Sequence, residues 1–340
     1  MKTKLFYTLS LVALCLSSCS NDEVVETNKT APIQFANAYV GKITRTVDPS
    51  FTTETLGEFG VYGWVTNNGT TGKIFDNEAV TSTDAGKNWT YANTQYWIAG
   101  GTYDFAAVAP KGNGTHAIVS ASDAKITGFT SNGATDLVFA TSTGITGKTS
   151  GNSAVQLNFK HQLSKIKLTF KNSIAENANI ALKVTDVKIT DAYETGDVTL
   201  SSVVASTTPP TWSNQAGELE LTLGNVVDDN SETATLASSS SLAANNELLL
   251  IPSADTKAYT VTFNVSLIQS GVEFDPIALT AKISGIELKG GYAYNFTATL
   301  TESNVNGNDK LEPIEFAVSG FEEWIDTSGD ASVESKSQAI

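Results

Sequence analysis

The chain has 340 residues, of which 41% are hydrophobic and 17% are charged. This composition excludes intrinsic disorder for most of the chain and supplies apolar side chains for one or two cores. Acidic residues outnumber basic ones by 36 to 21, a formal net charge of −15, so nucleic acid is excluded as an expected partner. Both cysteines precede residue 20 and there are two histidines, so we expect no metal site and no cofactor.

The first residues have the pattern of a bacterial export signal. Two lysines precede the apolar run Leu5 to Leu16, which is too short to span a bilayer. The run ends at Leu16-Ser17-Ser18-Cys19, which resembles the lipobox of bacterial lipoproteins. Residues 1–18 are therefore predicted to be a signal peptide, and Cys19 is predicted to carry acyl chains such as palmitate. The acidic residues that follow resemble a surface-export signal, which implies delivery to the outer membrane.

A tether and a first strand are predicted after the lipidated cysteine, over residues 19–45. The segment up to Ala31 is polar and without periodicity, which is typical of a flexible tether. Apolar residues then occur at Ile33, Phe35, Val40 and Ile43, and the family resemblance given below implies that they belong to a removable strand that fills a groove.

The body of the chain has the two-residue periodicity of β-strands. Short turns rich in glycine and asparagine, such as Asn67-Asn68-Gly69, separate the alternating segments. The clearest alternating segments are Gln156–Lys171, Glu218–Leu223, Tyr259–Leu267, Ile277–Ile283 and Tyr292–Leu300. A short helix or a long loop is as plausible as a strand in one window alone, Asp228–Asn246. The pattern predicts an all-β fold built from β-sandwiches.

Two tandem β-sandwich domains are predicted because one sandwich would be oversized for this length, and the family resemblance given below implies that they are of transthyretin-like or Greek-key type. The Ser, Thr and Gly-rich stretch Thr141–Ser153 is the candidate linker. We therefore predict an N-terminal sandwich over 46–154, a C-terminal sandwich over 155–326 and a polar tail over 327–340, and the strand Gln156–Lys171 at this boundary could belong to either domain.

Candidate catalytic and binding residues are few. The sequence lacks Gly-x-Ser-x-Gly, His-Glu-x-x-His and a phosphate-binding glycine loop, so we expect no catalytic residue and no enzyme. Trp89 and Trp97 could form a stacking platform for a sugar, although aromatic residues in a sandwich more often pack in the core. His161 lies in an alternating strand, and a structural, hydrogen-bonded role is favoured for it.

Short blocks in order along the chain resemble the Bacteroidales fimbrillin family. The first is the strand Pro32 to Arg45, which ends in Thr-Arg. The later blocks are Phe59–Trp64, Trp89–Tyr91, Tyr96-Trp97, Tyr103–Pro110, Asp136–Ala140, Phe159–Ile166, Leu249–Pro252 and Phe321–Trp324.

The resemblance implies a structural subunit of cell-surface fimbriae that supports adhesion. It implies export as an outer-membrane lipoprotein and cleavage between Arg45 and Thr46 by an arginine-specific protease. Removal of the first strand would empty a groove that another subunit fills by donor-strand exchange. Other fimbrial subunits, the lipid anchor and the protease are the implied partners, and the mature location is the extracellular fimbrium.

The C-terminal donor and the role in the filament stay open. Ile314, Phe316 and Val318 lie on one face of a predicted strand that could be donated or could complete the second domain. Stalk, tip and anchor roles are all compatible with the sequence. The alternative function is a permanently anchored, glycan-binding surface lipoprotein that uses the tryptophans, and a glycan hydrolase is a distant third.

Overall fold

The computed structural model describes residues 31–39, 55–203, 207–230, 232–305 and 313–324. Nearly all regular structure in these ranges is β, which confirms the all-β prediction. A 3₁₀ helix at Glu176–Ala178 and the short helix α1 at Glu302–Val305 are the helical elements there. No helix in the described ranges is long and apolar enough to cross a membrane.

The strands are numbered in chain order. The first half contains β1 Phe35–Tyr39, β2 Glu58–Asn67, β3 Thr70–Thr81, β4 Thr102–Ala109, β5 Thr115–Ser120, β6 Asp123–Thr130, β7 Val138–Thr146, β8 Val155–Asn158 and β9 Lys160–His161. The second half contains β10 Ser164–Asn172, β11 Ile180–Ala192, β12 Thr195–Thr199, β13 Thr211–Ala216, β14 Leu219–Gly224, β15 Thr235–Leu236, β16 Ser241–Ala243, β17 Leu248–Leu250, β18 Tyr259–Gln269, β19 Val272–Glu273, β20 Ile277–Ile283, β21 Tyr292–Leu300 and β22 Ile314–Glu323.

A five-stranded antiparallel sheet of order β3-β2-β4-β7-β9 forms the middle layer of the first half. The β2–β3 hairpin turns at Asn68 and Gly69, whose φ angles of 50° and 78° are left-handed, as an Asn-Gly turn predicts. Strand β4 is buried on both faces, with Phe105 in one core and Ala106 in another. Burial on both faces explains why the sequence of β4 is almost continuously apolar rather than alternating.

Two smaller sheets cover the two faces of the middle sheet. On one side β1 pairs in parallel with β8, and Phe35 and Leu157 enter a shared core with Phe59. On the other side lies the four-stranded sheet β13-β12-β6-β5. Its Ile126 packs in a second core with Val108 of β4. The middle sheet therefore has one core on each side.

The two halves meet later in the chain than the predicted boundary at residue 154. Strands β8 and β9 pair with β1 and β7, and Val155, Leu157 and Phe159 belong to the same core as Phe35. The predicted linker Thr141–Ser153 is also partly wrong, because its first six residues continue β7. Thr and Ser fit an exposed strand as well as a loop, so composition did not separate the two.

Strands β12 and β13 lie within the predicted second domain but belong to a sheet of the first half. They pair with each other, and β12 also pairs with β6. Trp212 of β13 contacts Phe129 of β6, with ring centroids 5.5 Å apart, and its Nε1 donates a hydrogen bond to Gln162 O at 2.9 Å. The second half thus contributes a hairpin to the first, which corrects the simple tandem division at 154.

The remaining strands form one large sheet that folds around a third core. The main order is β14-β11-β18-β20-β22-β21-β10-β16, with β15, β17 and β19 pairing beside it. Strand β10 contacts β18 across the core, where the rings of Phe170 and Phe263 lie 4.9 Å apart. The window Asp228–Asn246 contains the short strands β15 and β16 and no helix among its described residues.

Candidate functional site: the groove of the first strand

The first strand is bound along both of its sides by different parts of the first half. At its beginning, Ile33 N donates to Gln95 O at 2.8 Å, and Trp97 N donates to Ala31 O at 3.1 Å. Further along, Val155 N donates to Gln34 O at 2.7 Å, and Phe35 is in register with Val155 of β8. We call this cleft, lined by β8 and the segment 89–97, the first-strand groove.

Side chains of the first strand fill the groove. Ile33, Phe35 and Ala38 are 1%, 4% and 1% exposed, respectively. The ring of Phe35 is surrounded by four others at centroid distances of 5.7 to 6.2 Å, namely those of Phe59, Phe75, Tyr91 and Phe105. Burying a side chain of this size contributes about 1.5 to 3 kcal/mol. An empty groove would therefore expose a set of aromatic rings to water.

Tyr91 contacts the backbone of the first strand as well as the ring of Phe35. Its hydroxyl donates to Ile33 O at 2.6 Å. Burial raises the pKa of the Tyr91 phenol above its usual value, so the group keeps its proton at neutral pH. A carbonyl is present in every residue, so this hydrogen bond can form with any strand that places a carbonyl at the same position.

The groove is built from residues that are far apart in the sequence. Phe59, Phe105 and Tyr91 lie in blocks that the sequence resemblance highlights. Phe75 of β3 was not singled out by the sequence, although it is 2% exposed and its ring lies 5.7 Å from that of Phe35. The apolar pair Ile74-Phe75 between polar residues was the signal that could have identified it.

The other N-terminal site predictions fall outside the described residues. Val40, Ile43, the predicted cleavage pair Arg45 and Thr46, and the predicted lipidation site Cys19 are all in this group. Among the described residues, no three His, Cys, Asp or Glu side chains come together as a metal site would require.

The predicted donor strand lies in the second half, far from the groove in sequence. Ile314 and Phe316 are 4% and 5% exposed and pack in the third core. Val318 is 38% exposed and is not part of that core. In the structure this segment is β22, which begins between β20 and β21 of its own sheet.

The two tryptophans of the predicted glycan platform are core residues. Trp89 is 8% exposed and its ring lies 4.9 Å from Phe59. Trp97 is 1% exposed and packs on Tyr103 at 4.7 Å. A sugar stacks on an accessible ring face, so the described structure does not present these rings as a platform. Of the two interpretations given for these tryptophans, their burial favours core packing.

A model of the fimbrillin-like family matches residues 44–316 of the chain. Among solved structures, a fimbrial protein from Bacteroides vulgatus is similar, with 18% identity, a TM-score of 0.54 and coverage of 86% of this chain and 99% of that one. A protein provisionally assigned to cell adhesion, from Bacteroides ovatus, has 16% identity and a TM-score of 0.51, with 88% and 99% covered.

These structural similarities, at such low identity, show a shared fold. No curated protein matches the sequence. The family match covers well over half of the chain, so the chain belongs to the fimbrillin-like family.

Proposed function

We propose that the protein is a structural subunit of cell-surface fimbriae, made as an outer-membrane lipoprotein and assembled by donor-strand exchange after cleavage at Arg45. The observation that carries the proposal is the way in which the first strand is bound. It contributes Ile33 and Phe35 to an aromatic core, yet among the described residues it pairs with β8 alone as a strand. A strand held in this way can leave without opening the middle sheet.

The groove is suited to accept a replacement strand from another subunit. Its rings would be exposed once the first strand is gone, and the backbone of β8 would lose a partner, which favours addition of a new strand at that edge. Tyr91 and Gln95 would still offer a hydroxyl donor and a carbonyl acceptor to the incoming backbone. A contact of one subunit's strand with the next subunit's groove does not close on itself, so it produces a filament.

The composition supports cleavage at one position. Arg45 is the only arginine in the 340 residues, whereas the chain has 20 lysines. An arginine-specific protease therefore has one site in the whole chain, and the product from Thr46 contains none. The cut would separate the first strand and the lipidated Cys19 from the remainder in a single step.

The first experiment is N-terminal sequencing and intact mass measurement of the protein taken from the cell surface. A start at Thr46 supports the proposal, and Arg45→Ala should then retain the uncut form. Lys42→Ala is the matched control, because it also removes a nearby cation but leaves the arginine. A start at acylated Cys19 would instead favour a permanently anchored lipoprotein.

Strand exchange is tested separately in vitro. The purified precursor is treated with an arginine-specific protease, and polymers are detected by electrophoresis without heating and by electron microscopy. A peptide of residues 31–45 should block polymer formation by refilling the groove, whereas the same peptide with Phe35→Asp should not. Complete cleavage without polymers, with this subunit alone or mixed with other subunits of the same fimbria, would contradict donor-strand exchange.

A second protease experiment tests whether the protease cuts at one position because the chain has a single arginine. Lys148 lies exposed in the loop after β7, and Lys148→Arg keeps its charge while adding a second arginine. We expect this variant to be cut twice and the native protein once. An equal pattern for both would show that access, rather than sequence, restricts the protease.

A further inference from the structure

Strand β22 has two unlike halves. Its first residues lie between two neighbours, since Ile314 pairs with Ala281 of β20 while Phe316 pairs with Ala298 of β21. From Ala317 to Glu323 the described partner is β21 alone. Side chains in this second half are largely exposed, and Phe321 is 54% exposed. Among the described residues, neither core burial nor a second neighbouring strand holds the second half in place.

The residue directly after β22 is bound tightly where the two halves of the molecule meet. Trp324 N donates to Gly291 O at 2.8 Å. The indole stacks on the His161 ring, with centroids 3.4 Å apart and planes 4° from parallel. Lys165 Nζ lies 4.6 Å from the centre of the indole, which is within the range of a cation–π interaction.

The groups around the indole are themselves fixed by buried contacts. His161 is 3% exposed, and its Nδ1 donates to Asp136 Oδ2 at 2.7 Å. Asp136 Oδ1 accepts a further hydrogen bond from Leu137 N at 2.8 Å. Because this carboxylate accepts both bonds, we assign a hydrogen to Nδ1 of the histidine.

The ammonium group of Lys165 is also fixed by a buried contact. Lys165 Nζ lies 3.6 Å from Glu247 Oε2, and both side chains are largely buried. We call the set of His161, Lys165 and Gly291 the indole socket. Its members come from β9, from β10 and from the residue preceding β21, so the socket includes both the first half and the second half.

We propose that Trp324 is a latch that fixes the open half of β22 in its own subunit by filling the indole socket. A strand with one paired edge and exposed side chains opens locally at low cost. The stacking, cation–π and hydrogen-bond contacts of Trp324 add to that cost at the free end. The consequence rests on the proposed function: a latched β22 stays in its sheet and is not the strand donated to a neighbour.

The test is hydrogen exchange of the purified, uncleaved protein. In Trp324→Ala, amides of residues 317–323 should exchange about tenfold faster or more, given the usual strength of stacking and cation–π contacts. Trp324→Phe keeps an aromatic ring in the socket and should recover most of the protection. Phe321→Ala is the matched control, because it removes an aromatic ring from the same strand without touching the socket.

Two results would overturn the latch. One is unchanged protection of residues 317–323 in Trp324→Ala. The other is an equal loss of protection in β10, β18 and β22, since that would indicate general destabilisation rather than local release. Thermal unfolding of each variant is measured in parallel.

A peptide experiment measures strand release directly. A biotinylated peptide of residues 313–324 is incubated with the uncleaved protein, and the bound peptide is quantified after gel filtration. We expect incorporation to be at least tenfold faster into Trp324→Ala than into the native protein, in line with the exchange rates. Equally rapid incorporation into both proteins would show that β22 is exchangeable with Trp324 present. These assays leave the first-strand groove occupied, so their failure is distinct from failure of the proposed cleavage or polymerisation.

Discussion

The first and last described strands are held by opposite means. Strand β1 has few backbone partners, and it is held by Phe35 and by Ile33 just before it, both of which are buried in an aromatic core. Strand β22 pairs with β21 over most of its length, yet most side chains of its second half are exposed. Side-chain burial thus dominates in β1, and backbone pairing dominates in the outer half of β22.

This difference bears on which strand can be replaced by another. Removing β1 leaves the middle sheet intact and creates an apolar groove whose shape accepts a new strand. Removing β22 would separate β20 from β21, because the start of β22 joins them. The molecule is therefore better suited to lose its first strand than its last.

Phe35→Ala should have the largest effect. Truncation of a buried phenylalanine in a packed core costs about 3 to 5 kcal/mol, and the four surrounding rings leave little room for collapse. Urea unfolding of the uncleaved chain, followed by tryptophan fluorescence, measures the loss. A change below about 1 kcal/mol would show that β1 is not held by its side chains, and the contrast with β22 would fail.

Tyr91→Phe should have the next largest effect. It leaves Ile33 O without its hydroxyl donor, and an unsatisfied buried group costs about 1 to 3 kcal/mol. Hydrogen exchange of β1 should increase while that of β22 stays constant. Tyr96→Phe is the control, because Tyr96 is 55% exposed. Equal effects of the two substitutions would mean that the Tyr91 hydroxyl does not anchor the first strand.

The sequence predicts the local features of the molecule, namely its strands, its turns and the burial of individual side chains. Alternation and turn residues identify strands such as β18, β20 and β21, and the Asn68-Gly69 turn forms as its composition predicts. Burial of the first-strand segment is anticipated from Ile33 and Phe35. These features depend on neighbouring residues, so a window of sequence contains the information.

The sequence does not predict contacts between distant segments. The partner of His161 is Asp136, which is 25 residues away, and no local pattern joins them. The pairing of the β12–β13 hairpin with β6 through β12 is also not predictable from the sequence, because strand periodicity does not specify the partner strand. Trp89 and Trp97 could be read as a platform or as core, since exposure of an aromatic ring is decided by tertiary packing.

Substitution of Val318 should have a small effect on the free energy of unfolding, and it tests whether the outer half of β22 is weakly packed. Val318→Thr changes a side chain that is 38% exposed while preserving β-branched geometry, so the expected change is within about 0.5 kcal/mol. Urea unfolding measures it beside Phe316→Ala, which truncates a core residue of the same strand. A Val318→Thr effect as large as that of Phe316→Ala would contradict the description of the outer half as weakly packed.

The smallest expected effect is a pH dependence from His116 on β5. Its Nδ1 lies 3.2 Å from Tyr62 Oη of the middle sheet, and burial lowers the pKa of the imidazole, with nearby Lys111 acting in the same direction. Protonation is therefore easier in the unfolded chain than in the folded one. The contribution of His116 to the free energy of unfolding is complete above its pKa in the unfolded chain, about 6.5. It is lost as the pH falls through the lower pKa that His116 has in the folded chain.

The comparison of the native protein with His116→Gln isolates this contribution. Between about pH 5 and 7.5, where histidines titrate, the free energy of unfolding of the native protein should rise with pH more steeply than that of the variant. Asp84 contributes at more acidic pH, because hydrogen bonds from Asn88 lower its pKa to about 2. As the pH falls over the same range, hydrogen-exchange protection factors, which are corrected for the intrinsic effect of pH, should decrease in β2 and β5 before they decrease in β22. Parallel curves for the two proteins would show that His116 titrates equally in the folded and unfolded chains, and the first half would then lack this acid sensitivity.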